Sequence, residues 1–101
     1  MNAVDSTIRA AISTKTIIEF EYDGYHRIAE PHVYGLKNGM SQLLVYQIEG
    51  QSSSGGLPQW RRFEIAKMSS LSMTSRNFLG RRPYPSGKHQ DFDTVWLVVD
   101  P

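Results

Sequence analysis

Two short stretches of this sequence set basic and aromatic side chains next to one another: Trp60-Arg61-Arg62 and Arg81-Arg82-Pro83-Tyr84. A guanidinium donates charge-assisted hydrogen bonds to phosphate oxygens, and an aromatic face stacks on any nucleobase. That combination suits single-stranded nucleic acid, so Trp60, Arg62, Arg81, Arg82 and Tyr84 are candidate contacts. The wider charge distribution agrees. Between Gly56 and Gln90 stand Arg61, Arg62, Lys67, Arg76, Arg81, Arg82 and Lys88 against Glu64 alone, although the whole chain carries a formal net charge of only +1. Positive charge gathered into one third of a chain points to an anionic partner. The competing explanation, for each cation, is a solvated surface that serves solubility.

Other chemistries find less support. His26, His32 and His89 are the only histidines. Glu30 and His32 stand two apart, but Pro31 between them breaks the strand regularity that would align them, and a transition-metal site needs three or four convergent donors. No metal or other cofactor is expected. The serines show no nucleophile elbow and no flanking pattern of a Ser/His/Asp set, and no close carboxylate pair lies in an apolar setting, so no enzyme is expected. Gly55-Gly56 is not followed by Lys-Ser or Lys-Thr and is no phosphate loop. The absence of cysteine excludes disulfides, thiolate metal sites and thiol nucleophiles. The first residues, MNAVDSTIRA, lack the basic start and apolar run of a signal peptide, and no apolar stretch approaches the ~20 residues that span a bilayer. A soluble, cytoplasmic domain with no membrane contact is the expectation.

The elements that would position these side chains follow from periodicity. With 101 residues, 40% of them hydrophobic, the chain can bury one core. Val4, Ile8, Ala11 and Ile12 fall on one helical face, which predicts a short helix over Asp5 to Ser13, capped by Asp5 or Ser6. The period then changes to two. Ile18, Phe20 and Tyr22 share one strand face, and Asp23-Gly24 is a strong two-residue hairpin signal. The return strand runs from Tyr25 to Glu30, where Pro31 restricts the chain. A second hairpin runs from His32 to Lys37, turns at Asn38-Gly39 and continues from Ser41 to Glu49. This last strand is apolar on both faces and should be covered on both sides, the helix being one candidate cover. Gly50 to Gly56 reads as a loop. A fourth strand spans Gln59 to Ala66, with Arg61, Phe63 and Ile65 alternating with Trp60, Arg62 and Glu64. A fifth, Met68 to Thr74, should contain a bend. After Thr74 regular order weakens until a final β segment, Thr94 to Val99.

One helix followed by about five short antiparallel strands predicts a mainly β fold, a small SH3/Sm-like barrel closed or nearly closed on itself. An irregular C-terminal tail, ending in a strand, should follow it. The boundaries are 1–78 for the barrel with its helix and 79–101 for the extension.

At this point the order of residues resembles the WYL domain. The resemblance rests on Ile8, Ala11 and Ile12 on the helix, Ile18, Phe20 and Tyr22 on the first strand, Arg27 with Glu30-Pro31 on the second, an apolar third strand, and the run Arg61, Phe63, Ile65, Lys67-Met68. It covers roughly residues 8–78. The Trp-Tyr-Leu tripeptide that names the family falls at Gln42-Leu43-Leu44, where only the leucine survives, and Lys67 stands where the family carries arginine. The chain therefore resembles a divergent, stand-alone member.

The resemblance implies a compact Sm/SH3-related barrel of the kind found in bacterial transcription regulators and antiphage systems. Such domains sense nucleic acid or nucleotide-like ligands through a basic pocket. By family position that pocket comprises Tyr22, Arg27, Arg61 and Lys67. Arg27 and Arg61 come from different strands, so the expectation requires the barrel to bring them together. The implied function is non-catalytic ligand sensing or regulation, with a nucleic acid or nucleotide as ligand and a separate effector or regulator chain as a further partner. The alternative is a structural interaction module in which the strand from Thr94 to Val99 pairs with a second copy to form a homodimer.

Overall fold

The computed structural model describes residues 3–50, 56–83 and 92–101. Helix α1 (Ala3–Thr14) buries Ile8, Ala11 and Ile12, the stripe that the helical spacing predicted, and extends slightly beyond the predicted ends. Six strands follow among the described residues: β1 (Thr16–Tyr22), β2 (Tyr25–Lys37), β3 (Met40–Gly50), β4 (Gln59–Glu64), β5 (Ser69–Asn77) and β6 (Thr94–Val98). The chain is thus mainly β with one N-terminal helix. Both predicted two-residue turns form. Asp23 and Gly24 lie at φ 53° and 77°, and Asn38 and Gly39 repeat those values, the pair of positive φ angles a type I′ turn requires.

All strands belong to one antiparallel sheet with the order β4-β3-β2-β1-β5, and β6 pairs with β2. Among the described residues the sheet is not closed by hydrogen bonding, because β4 and β5, the ends of that path, share no ladder. They are joined through a single 3-10 turn, Ile65–Lys67, and Met68. This turn also ends β4 two residues before its predicted limit. Near the resulting seam the Glu64 N–H donates to Tyr22 Oη at 3.3 Å, tying β4 to β1.

Pro31 does not end a strand as expected. β2 runs through it, with a register shift against β3 between Pro31 and Val33. One edge of β2 pairs with β3 along its length. The other edge is divided: Tyr25 to Ala29 pairs with β1, and Val33 to Leu36 pairs with β6. The gap between these two ladders falls at Pro31, which has no N–H to donate. Gly35 is essential to the second ladder, since a Cβ there would run into Thr94 O.

The core gathers Ile8 and Ile12 of the helix with Ile18, Phe20, Ala29, Leu43, Val45 and Phe63 of the sheet. The opposite face of β3 is not covered by the helix as suggested. Its Tyr46 ring packs on Trp60 of β4 (5.2 Å) and beneath the Arg82 guanidinium (4.5 Å).

Candidate functional site: a buried cation among rings

The side-chain alternation that builds the core also carries polar groups into it. On β3, Leu43 and Val45 face inward, and the next residue in step is Gln47, fully buried. On β4, Phe63 faces inward and Arg61 lies two residues before it. On β2, Ala29 faces inward, and Arg27, also two residues earlier, is only 2% exposed. The interior therefore changes from aliphatic to polar along the strands, and the polar end is where Arg27 reaches Gln47, with Arg61 opposite Val45 on the neighbouring strand.

Arg27 is enclosed by aromatic faces. Its guanidinium carbon lies 5.0 Å from the Phe63 ring centroid and 5.6 Å from those of Tyr22 and Tyr25. Its amino groups donate to Tyr22 O at 3.3 Å and, at the limit of hydrogen bonding, to Gln47 Oε1 at 3.5 Å. Its buried Nε has no hydrogen-bond partner. No carboxylate among the described residues bonds to it. Removing an arginine from water costs several kcal/mol, and cation–π contacts return about 0.5–2 kcal/mol each. The rings hold this charge in place of a counter-ion.

The neighbouring cation responds to it. Burial, followed by the positive charge of Arg27, holds the Arg61 guanidinium below its usual range. Arg61 is half-buried, so it is the member of the pair that solvent reaches. Gly50 closes β3 over the same spot at φ +96°, where a Cβ would crowd His26 O and the Arg27 Cα at 2.9 Å. Guanidinium groups beside a phenol ring offer the kind of donors and stacking face that suit a planar or tetrahedral oxyanion carrying an aromatic group.

Of the four residues implied by the resemblance, Tyr22 and Arg27 are in contact, and Arg61 lies near enough for the charge of Arg27 to act on it. Lys67 does not join the buried pair. It lies on the 3-10 turn with its side chain 65% exposed and its Nζ 2.8 Å from Glu64 Oε2. The Glu64 hydrogen bond and charge, with a smaller contribution from Tyr22, raise its pKa. Because β4 stops at Glu64, the chain turns outward before Lys67. Tyr25, Phe63 and Gln47 were not singled out from the sequence as site residues, although strict alternation from Val45 would have flagged Gln47 as an inward amide.

The second basic set lies on the opposite face of the sheet and is bound up with structure. Arg82 forms a bidentate pair with Glu30, at 2.6 and 2.9 Å, while Glu30 itself is only 3% exposed. This pairing raises the Arg82 pKa, the hydrogen bond to Glu30 being the main cause. The Arg82 N–H donates to His32 Nε2 at 3.2 Å, and His32 Nδ1 is 2.9 Å from Glu30 O. Arg81 donates through Nε and Nη2 to Val99 O. Both arginines thus fasten the C-terminal chain and do not project as an arm. Trp60 packs against His32 at 4.7 Å and Arg62 sits over the Phe92 ring at 4.6 Å. Trp60, Arg82, Pro58 and Tyr46 line a groove of about 430 Å³. Tyr84 and His89 lie outside the described residues, as do residues 51–55 of the expected loop. His26 is exposed beside Glu21 and Glu19, remote in kind from the buried His32.

No protein-family model matches the chain, and no curated protein matches it. Among solved structures it is similar to the Proteasome accessory factor B/C (PafBC) of Arthrobacter aurescens, with a TM-score of 0.67 at 20% sequence identity over 87% of this chain. This likeness is one of fold, and it agrees with the fold that the sequence resemblance implies. The fold is WYL-like. The chain spans 14% of the length of that protein, so the likeness concerns one domain of a longer molecule.

Proposed function

We propose that this WYL-like domain is a non-catalytic sensor or regulatory module that binds a nucleotide-like or single-stranded nucleic acid ligand at the Arg27–Arg61 pair. The observation that carries the proposal is Arg27, a guanidinium 2% exposed, held by three rings and bonded to no carboxylate among the described residues. Such a charge costs stability in the free protein and is compensated when an anion arrives. In this reading the ligand's phosphate meets Arg61 first, Arg27 stands behind it as fixed charge, and Tyr22 or Tyr25 offers a face to the base. The groups around the pair are guanidinium, amide and phenol, suited to binding and orientation. The regulatory role follows from the resemblance to WYL domains, which the shared fold supports.

Fluorescence anisotropy with labelled single-stranded oligonucleotides and with mononucleotides, across a salt series, tests the proposal. Affinity should fall as salt rises, with a log–log slope of about −0.7 per phosphate neutralised on a single strand. Arg27→Met and Arg61→Met should each weaken binding. No binding at low salt would remove the proposal.

A further inference from the structure

Phosphate reaches a protein in two forms that differ in shape. Within a strand it is a diester: a sugar hangs on either side of it, so it is read from a surface or an open groove. At a strand end, or on a free nucleotide, it is a monoester, with a single arm, three acceptor oxygens and a charge of about −1.5 to −2 at neutral pH. The surroundings of Arg27 separate the two. A residue only 2% exposed does not line an open groove. Its walls are also held in place. Tyr22 Oη accepts the Glu64 N–H at 3.3 Å, the Tyr22 and Phe63 rings meet edge to face at 4.6 Å, and Phe63 packs in turn on Phe20 at 5.1 Å. On the backbone side, Gly50 approaches so closely that a Cβ would stand 2.9 Å from the Arg27 Cα.

We infer that the group recognised at Arg27 is a terminal phosphate, a monoester, and that a diester inside a strand is discriminated against; this rests on the reading of the Arg27–Arg61 pair as the ligand site. Donors remain for such a group. Arg27 Nε is buried without a hydrogen-bond partner, and its amino groups make only long bonds, at 3.3 Å to Tyr22 O and 3.5 Å to Gln47 Oε1. A buried donor left unmade is costly, and an oxygen at the tip of a single arm can enter between the rings to satisfy it. Charge points the same way. The positive charge of Arg27 is felt at Arg61, and a dianion offsets two neighbouring cations better than the single charge of a diester does. The end of a strand and a free mononucleotide both carry this group.

Anisotropy on the full chain tests this, with one internally labelled oligonucleotide carrying hydroxyl ends, a 5′-phosphate or a 3′-phosphate. A nucleoside 5′-monophosphate and the 3′,5′-cyclic monophosphate of the same nucleoside, a diester, serve as competitors. A phosphate-ended strand should bind roughly tenfold or more tightly than the hydroxyl-ended one, or the monophosphate should compete better than the cyclic diester by a similar factor. The first result assigns strand ends and the second free nucleotides; either supports the inference. The second proton of a monoester binds with a pKa of about 6, so the preference should shrink between about pH 7.5 and about pH 5. Arg27→Met should abolish it, and the wild-type comparisons stand whether or not that variant folds. Equal affinity for all strand ends together with equal competition by both nucleotides would overturn the inference and leave the pair an anion site. A preference that survives Arg27→Met, or one unchanged across that pH range, would overturn it too. Failure of every ligand to bind at low salt would instead remove the underlying reading, and the inference with it.

Discussion

Arg27 and Arg82 sit on opposite faces of the same sheet and are treated in opposite ways. Arg82 is given a buried carboxylate, Glu30, in a bidentate pair, and its backbone N–H is fixed by His32. Arg27 is buried more deeply, yet receives three aromatic rings, a carbonyl and a distant amide, with a second arginine beside it. A chain that can place a carboxylate inside for one arginine and leaves the other with rings separates two uses of the same side chain. On the outer face arginine is a fastener for the C-terminal segment. In the interior it is a charge held by rings, which the proposed ligand would compensate.

Substitution should divide the two. Arg27→Met is expected to cost roughly 2–5 kcal/mol of anion affinity, the usual loss when a buried charge is removed from a recognition pair. Its urea-unfolding free energy should be unchanged or higher, because a hydrophobic isostere no longer carries the desolvation cost. A large loss of stability would erase the contrast. Glu30→Gln should do the reverse. It should lower stability by about 1–3 kcal/mol, less than for a fully buried pair because Arg82 is half-exposed, and leave anion affinity intact.

A smaller effect is read by pH. Burial, and then the hydrogen bond donated to Asp5 at 2.7 Å, push the Tyr34 phenol up to about 12. The folded state therefore holds this proton more tightly than the unfolded chain. The stabilisation is complete below the ordinary phenol value of about 10 and is lost as pH rises through about 12. At the acidic end the same hydrogen bond holds Asp5 below the usual carboxylate range, so its contribution is present above about pH 4 and fades as pH falls further. Tyr34→Phe should flatten both limbs in thermal melts recorded across pH. The least effect is expected from Lys67→Ala, which should leave anion affinity unchanged by anisotropy. A marked loss would restore Lys67 to the site.

Much of this was legible because strands report their faces. The period-two spacing of Ile18, Phe20 and Tyr22 and the two turn signals fixed the hairpins, and the alternation of Arg61 with Phe63 already implied that this arginine points inward. The sequence could not reveal what depends on distant chain. Pro31 looked like a terminus because the division of the β2 edge between β1 and β6 is a tertiary event. Lys67 looked aligned with Arg61 because the 3-10 turn that diverts it has no strong local signature. Arg81 and Arg82 looked like a free basic arm because their acceptors, Val99 O and Glu30, lie 18 and 52 residues away along the chain.

The divided edge of β2 also bears on how the molecule could be altered. Since β1 is aligned by the Asp23-Gly24 turn and β6 by the glycine notch at position 35, an error in one ladder need not be copied into the other. A permuted chain with new ends elsewhere, or one with a grafted final strand, should therefore inherit the proposed anion-binding end unchanged. The final strand and the proposed ligand site can then vary separately within one small domain.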